Sequence, residues 1–251
     1  MRNRRLAATL GYLTLAATDT YLAGREGKAA RRARYVTKPL LMPALAVSTQ
    51  LATEDTDGVA VRGVQAAQLF SWGGDLALMG KSERSFLTGV GSFFAAHLAY
   101  IASFASARDP QAGVTDPGPK AAAATWAATA PVMAFAAGRK DPTLRLPIAA
   151  YAGILSTMFA TSTTLRHSIP LSARRRILAG TSLFLLSDSL LGVQEFLRKD
   201  RSPALESAVM GTYTAGQWLI ADGTAAAARS TASTDDATTA AKPTGGRHAM
   251  R

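Results

Sequence analysis

Cysteine is absent from the 251 residues, which excludes a disulfide, a thiolate metal site and a cysteine nucleophile, and leaves the redox compartment unspecified. Histidine is scarce: His97, His167 and His248 are too scattered to form a metal cluster, so neither a metal nor another cofactor is expected. The most informative lack is of charge over long stretches. Ser85–Ala107, Ala121–Gly138 and Leu146–Leu165 contain no Asp, Glu, Lys or Arg, and each is near the roughly 20 residues that a ~30 Å hydrocarbon core demands. An Ala-rich soluble helical bundle is the alternative. It predicts charged stripes at helical spacing along these segments, and none is present.

What charge there is sits elsewhere. The 28 Lys and Arg against 17 Asp and Glu give a formal net charge of +11, which on a soluble protein would suggest nucleic acid. Here the basic residues gather in short tracts, Arg25–Lys38, Arg139–Arg145 and Arg174–Arg176, as in loops that meet anionic headgroups. The expected partner is therefore membrane lipid and not nucleic acid, with no obligate protein partner implied.

Further segments carry acids: Leu6–Ala23 with Asp19, Val61–Met79 with Asp75, Ile177–Phe196 with Asp188 and Glu195, and Ala204–Ala221 with Glu206. Thr37–Ala52 is short and holds Pro39 and Pro43, which predicts a tilted, thin or partly re-entrant span. The fold class is thus all-α, a polytopic transmembrane bundle of about eight spans in the cell membrane. The mean hydropathy of +0.08 is low for such a protein because much of the apolar content is alanine and because Thr224–Arg251 is polar and aperiodic. These residues predict a transmembrane domain over 1–223 and a disordered tail over 224–251. A basic start followed by an apolar run over Met1–Ala17 also resembles a signal peptide, with a conceivable cleavage point near Ala16 and Ala17. Lys and Arg divide almost evenly between the two faces. Discounting the tail puts the Arg25–Lys38 loop in the cytoplasm and both termini outside.

Ionised groups at membrane depth mark sites by default, because a carboxylate facing lipid costs several kcal/mol (~2.5 or more at the bilayer centre). Asp75, in Ser-Trp-Gly-Gly-Asp, and Asp188, in Phe-Leu-Leu-Ser-Asp-Ser, are the deepest acids. Gly73 and Gly74 allow a neighbouring backbone to come close. Asp19, Glu195, Glu206 and Asp222 lie nearer segment ends, where an interfacial role is expected. His97 and Tyr100, three apart, share a helix face, as do Tyr213 and Gln217, four apart. Hydrogen bonding that only holds helices together is the plain alternative for the first pair. Lys38 could meet a lipid phosphate, neutralise an acid or simply snorkel. Trp72, Trp126 and Trp218 read as packing or interface anchors.

These pieces, in order, resemble a known family. Thr37-Lys38-Pro39-Leu40-Leu41, Gly74-Asp75-Leu76-Ala77-Leu78-Met79, Phe86-Leu87-Thr88-Gly89, Ala96-His97-Leu98-Ala99-Tyr100-Ile101, Leu183 to Leu191 around Ser187-Asp188, and Tyr213-Thr214-Ala215-Gly216-Gln217-Trp218-Leu219-Ile220 look like the lysoplasmalogenases, eight-span membrane proteins. The resemblance runs from about Thr37 to Ile220. It implies hydrolysis of the vinyl ether bond of a lysophospholipid, releasing a fatty aldehyde and a glycerophospho-headgroup. Vinyl ethers hydrolyse by slow protonation of an alkene carbon and capture of the oxocarbenium ion by water, which needs a proton donor and a nearby anion. Glycosidases divide that labour between two carboxyl groups. Asp75 and Asp188 are the expected pair, without assignment of which is the acid, and His97 or Tyr100 would tune or relay protons. Lys38 would bind phosphate, Tyr213 with Gln217 would hold the glycerol, and Ser187 beside Asp188 would join the substrate contacts. A proton-coupled transporter of a small or lipid-like solute could use the same acids, and a noncatalytic scaffold would need neither.

Overall fold

The computed structural model describes residues 2–240, with side chains over 2–232. Its described residues are 83% helical and contain no strand. Eight α-helices follow one another: α1 (Arg2–Ala23), α2 (Lys28–Ala52), α3 (Val59–Ala77), α4 (Glu83–Ser106), α5 (Pro117–Lys140), α6 (Arg145–Ser162), α7 (Leu171–Gly192) and α8 (Pro203–Ala240). A 3₁₀ turn, Pro142–Leu144, leads into α6, and a π-helical turn, Val193–Leu197, ends α7. Local chemistry sets several boundaries. Ser82 caps α4 by accepting a hydrogen bond from the Ser85 amide at 3.1 Å, and Pro117 opens α5 where a missing N–H does no harm.

Short loops make consecutive helices into antiparallel hairpins, α1 with α2, α3 with α4, α5 with α6 and α7 with α8. The first and last helices meet, because α8 also packs on α1, as well as on α2 and α3. Four helical segments are long and apolar enough to cross a membrane: α4, α5, α6 with its 3₁₀ turn and α7 with its π turn. Leu69, Phe70, Leu98, Val132, Phe135 and Leu186 point outward on the bundle surface, an arrangement that suits a hydrocarbon solvent and would be a liability in water. The other helices are less apolar because they carry more charge, part of it on exposed residues such as Arg4, Arg32 and Arg62 and part of it inward, as at Asp19 on α1 and Asp75 on α3.

Thr37–Ala52 keeps its short apolar length but is no separate element: it is the second part of one continuous helix of 25 residues, α2, whose first turns come from the basic tract at Lys28. Its two prolines are accommodated. Pro43 has no N–H, which frees the carbonyl of Pro39 one turn earlier, and the Trp72 indole donates to that oxygen at 2.9 Å. Trp72 therefore satisfies backbone as well as packing, and Trp72→Phe is expected to lower stability by about 1 kcal/mol, read as a lower midpoint of thermal unfolding in detergent.

The bundle also does not stop at Gly223. α8 continues to Ala240, Thr224 and Ala225 are buried, and Arg229 donates to the Ala52 carbonyl at 2.8 Å. Alanine, the strongest helix former, dominates this stretch, so polarity without periodicity was a poor sign of disorder here. The rest of the expected tail, 241–251, lies outside the described residues.

Candidate functional site

Asp75 and Asp188 come from α3 and α7, and both line one large cavity of about 1110 Å³. That exceeds the roughly 300–1,000 Å³ of pockets for drug-sized ligands. Much of its wall is apolar, with Phe86, Val90, Met133, Ile148, Leu155 and Leu185 contributed by α4, α5, α6 and α7. Its mouth lies among the loops on one side, where Arg25, Arg31, Lys81, Lys140 and Arg201 gather.

Each carboxylate has its own hydroxyl donor. Tyr213 on α8 donates to Asp75 at 2.8 Å, and Tyr151 on α6 donates to Asp188 at 2.5 Å. Lys38 on α2 brings its Nζ to 3.7 Å from Asp75 Oδ1. His97 lies behind Asp188, with Nε2 at 3.8 Å from Oδ2. Its Nδ1 donates to the Phe93 carbonyl at 2.5 Å; the carbonyl can only accept, so the neutral ring carries its lone pair on Nε2. That nitrogen is buried with no hydrogen-bond partner.

Aromatic rings hold this arrangement. Phe184 stands edge-on to His97 and Tyr213, with centroids at 4.9 and 5.5 Å. Gly74 leaves room for the ring of Phe93, which a Cβ would approach to 2.6 Å. The close approach at this glycine is by a side chain of α4 rather than by a neighbouring backbone.

The other residues singled out in the sequence are placed differently. Ser187 lines the cavity, but its hydroxyl donates to the Val209 carbonyl at 3.0 Å. Tyr100 and Gln217 are fully buried and do not belong to the cavity lining. Tyr100 donates to Gln217 Oε1, and Gln217 Nε2 donates to Ser71 Oγ at 2.9 Å, so this pair joins α4, α8 and α3.

Asp19 is fully buried rather than interfacial. It accepts from Thr37 at 2.5 Å and from Arg34 at 3.4 Å, and Arg34 continues to Glu206 at 2.7 Å. This network joins α1, α2 and α8 beside the mouth. Asp222 pairs with Arg5 and Arg176 at 3.3 and 2.7 Å, while Glu195 meets Lys140 and Arg201 at 3.3 and 3.5 Å. Arg34→Met is expected to destabilise the protein by about 3–5 kcal/mol because it strands a buried carboxylate. Adding Asp19→Asn should recover much of the loss in thermal unfolding; equal midpoints for the single variant and the parent would refute the network's importance.

Sequence reasoning missed Arg34 and Tyr151. Arg34 was hidden in a basic tract that reads as headgroup contact, whereas a lone tyrosine hydroxyl inside the uncharged Leu146–Leu165 run was a usable signal for Tyr151.

Fold and site together define an integral membrane protein of the helical class, with two interior carboxyl groups reached from one cavity. The chain belongs to the YhhN family, whose family model matches residues 33–224, and that family includes lysoplasmalogenases. Neither a curated protein nor a solved structure matches it.

Proposed function

We propose that this protein is an intramembrane hydrolase that cleaves the vinyl ether bond of lysoplasmalogens. All eight helices cross the cell membrane in this reading, and the cavity mouth, on the same side as the Arg25–Lys38 loop, faces the cytoplasm. Family membership supports the substrate class. The observation that carries the chemistry is a pair of carboxylates, each with a tyrosine donor, lining one cavity with an apolar wall and a charged mouth where cations outnumber acids. A lysolipid has that shape: one chain for the apolar wall and a phosphate for Arg31 and Lys81 at the mouth.

The surroundings of the two carboxyl groups differ. The lone pair of His97 Nε2 faces Asp188 Oδ2 at 3.8 Å, too far for a hydrogen bond but close enough to favour a neutral carboxyl over an anion there. Asp75 faces the Lys38 ammonium and the Tyr213 hydroxyl, both of which stabilise an anion. Asp188 is therefore the acid and Asp75 the anion, and Lys38 serves Asp75 rather than the substrate phosphate.

The alkene electron pair takes the proton of Asp188, forming a C–H bond at the carbon remote from oxygen. The positive charge left on the adjoining carbon and ether oxygen is offset by Asp75. Water adds to that carbon and returns a proton to Asp188. The hemiacetal then collapses: its hydroxyl gives up a proton as the carbonyl forms, the bond to the glycerol oxygen breaks and that oxygen takes up a proton, leaving aldehyde and glycerophospho-alcohol. Incubating the purified protein with vinyl ether, alkyl ether and acyl lysolipids tests the class by mass spectrometry. Loss of the vinyl ether species alone, with aldehyde appearing, is the expected result; movement of solute into liposomes without cleavage would favour transport instead.

A further inference from the structure

The π-helical turn at the end of α7 contains Gln194, which lines the cavity between Asp188 and the mouth. It is only 5% exposed, and its Oε1 is buried with no hydrogen-bond partner. Leaving such an acceptor unmade in a folded interior is unfavourable, and native proteins tolerate it chiefly where a ligand completes the bond. The π turn closes α7 through the Arg198 amide, which donates to the Val193 carbonyl at 3.1 Å, and so holds Gln194 at the end of the helix that carries Asp188. Among the described residues, the three other buried side-chain atoms without partners outside the catalytic groups, on Gln68, Arg174 and Thr224, do not belong to the cavity lining.

We infer that Gln194 binds the free glycerol hydroxyl of the substrate and thereby selects lysolipids over lipids that carry a second chain. The inference rests on the lysolipid reading of the cavity. Six residues separate Gln194 from Asp188, roughly 9 Å of helix rise, and the order along this element is acid, amide, then the charged mouth at Glu195 and Arg201. A lysolipid held with its vinyl ether at Asp188 and its phosphate at the mouth presents its glycerol to the stretch between. The terminal torsion of a glutamine is broad, so the amide turns its unpartnered end to the cavity when a hydroxyl arrives. A hydroxyl both donates and accepts, and it satisfies either face of the amide. Acylation of that hydroxyl removes the donor and adds bulk, leaving the glutamine unpaired beside a second chain. Gln217, the glutamine marked in the sequence for the glycerol, is already committed to Tyr100 and Ser71.

The test pairs a vinyl ether lysophospholipid with its 2-deoxy analogue, which has hydrogen in place of the glycerol hydroxyl. For the parent protein, kcat/KM should favour the hydroxyl substrate by about ten- to hundredfold. Gln194→Leu should abolish that preference by lowering kcat/KM for the hydroxyl substrate while leaving the deoxy analogue unchanged. The same variant should raise the thermal midpoint, because it removes a buried group that has no partner in the free protein. A variant that lowers both substrates equally, or that lowers the midpoint, would show a structural role and overturn the inference. Binding of the uncleavable alkyl ether lysolipid and its 2-deoxy form, by parent and variant, reads the same preference without catalysis. Absence of aldehyde from the parent protein would thus end the hydrolase reading, while the binding preference would still decide the role of Gln194.

Discussion

Asp188→Asn is expected to lower aldehyde release from a vinyl ether lysolipid by about 10²–10⁴-fold, the range for loss of a general acid. An amide matches the carboxyl group in shape and can accept the Tyr151 hydrogen bond, but it cannot protonate carbon. Asp75→Asn should produce a loss of similar size for a different reason: no anion remains to offset the oxocarbenium ion, and Lys38 leaves a positive charge in its place. Because that charge is stranded at a site where its partner is only 2% exposed, the single variant is also expected to be less stable. Asp75→Asn with Lys38→Met restores the charge balance. It should recover the thermal midpoint without recovering activity. Parent-level turnover in either folded, membrane-inserted Asp variant would remove the two-carboxyl mechanism.

The second large effect is on the fold. α7 and α8 touch backbone to backbone where two glycines meet: a Cβ on Gly216 would lie 2.9 Å from the Gly180 carbonyl oxygen, and one on Gly180 would lie 2.8 Å from the Gly216 oxygen. No side-chain rotation relieves such a contact, so a larger residue must push the helices apart. These helices carry Asp188 and Tyr213. Gly216→Val is therefore expected to destabilise the protein by about 3 kcal/mol, the upper end for overpacking, and to abolish activity with it. Gly91→Ala supplies the contrast, since nothing lies within 4 Å of its Cβ position. It should leave the thermal midpoint unchanged or raise it, as alanine favours a helix. Equal losses at both positions would show that helix propensity, not helix separation, sets the cost.

The segments of the bundle and two of its interior acids were legible in the residues because each depends on local composition, whereas Asp19, the most buried of the three, read as interfacial. A charge-free run near membrane length announces a helix wherever it folds, and Asp75 and Asp188 stand out because no other charged residue is near them in sequence. Partner choice was less legible. Lys38 follows the same basic tract as Arg34, yet one faces Asp75 and the other joins Asp19 to Glu206. Four apart on α2, they share a face and differ in height by one turn, roughly 6 Å, so the partner each one meets depends on where the neighbouring helices place their acids. Gln217 and Gln194 are alike as sequence signals, but one is satisfied between helices and the other is not.

By itself, then, the order of residues determined that this chain is a membrane-embedded helical protein, with two acids held away from water, because solvent partitioning depends on what each segment is made of. Only the tertiary structure decided which groups face those acids, which polar atoms are already paired and where the cavity opens. Those facts arise from contacts between segments far apart in the chain, whose spacing depends on glycine-lined helix approaches and on aromatic rings supplied by several helices at once.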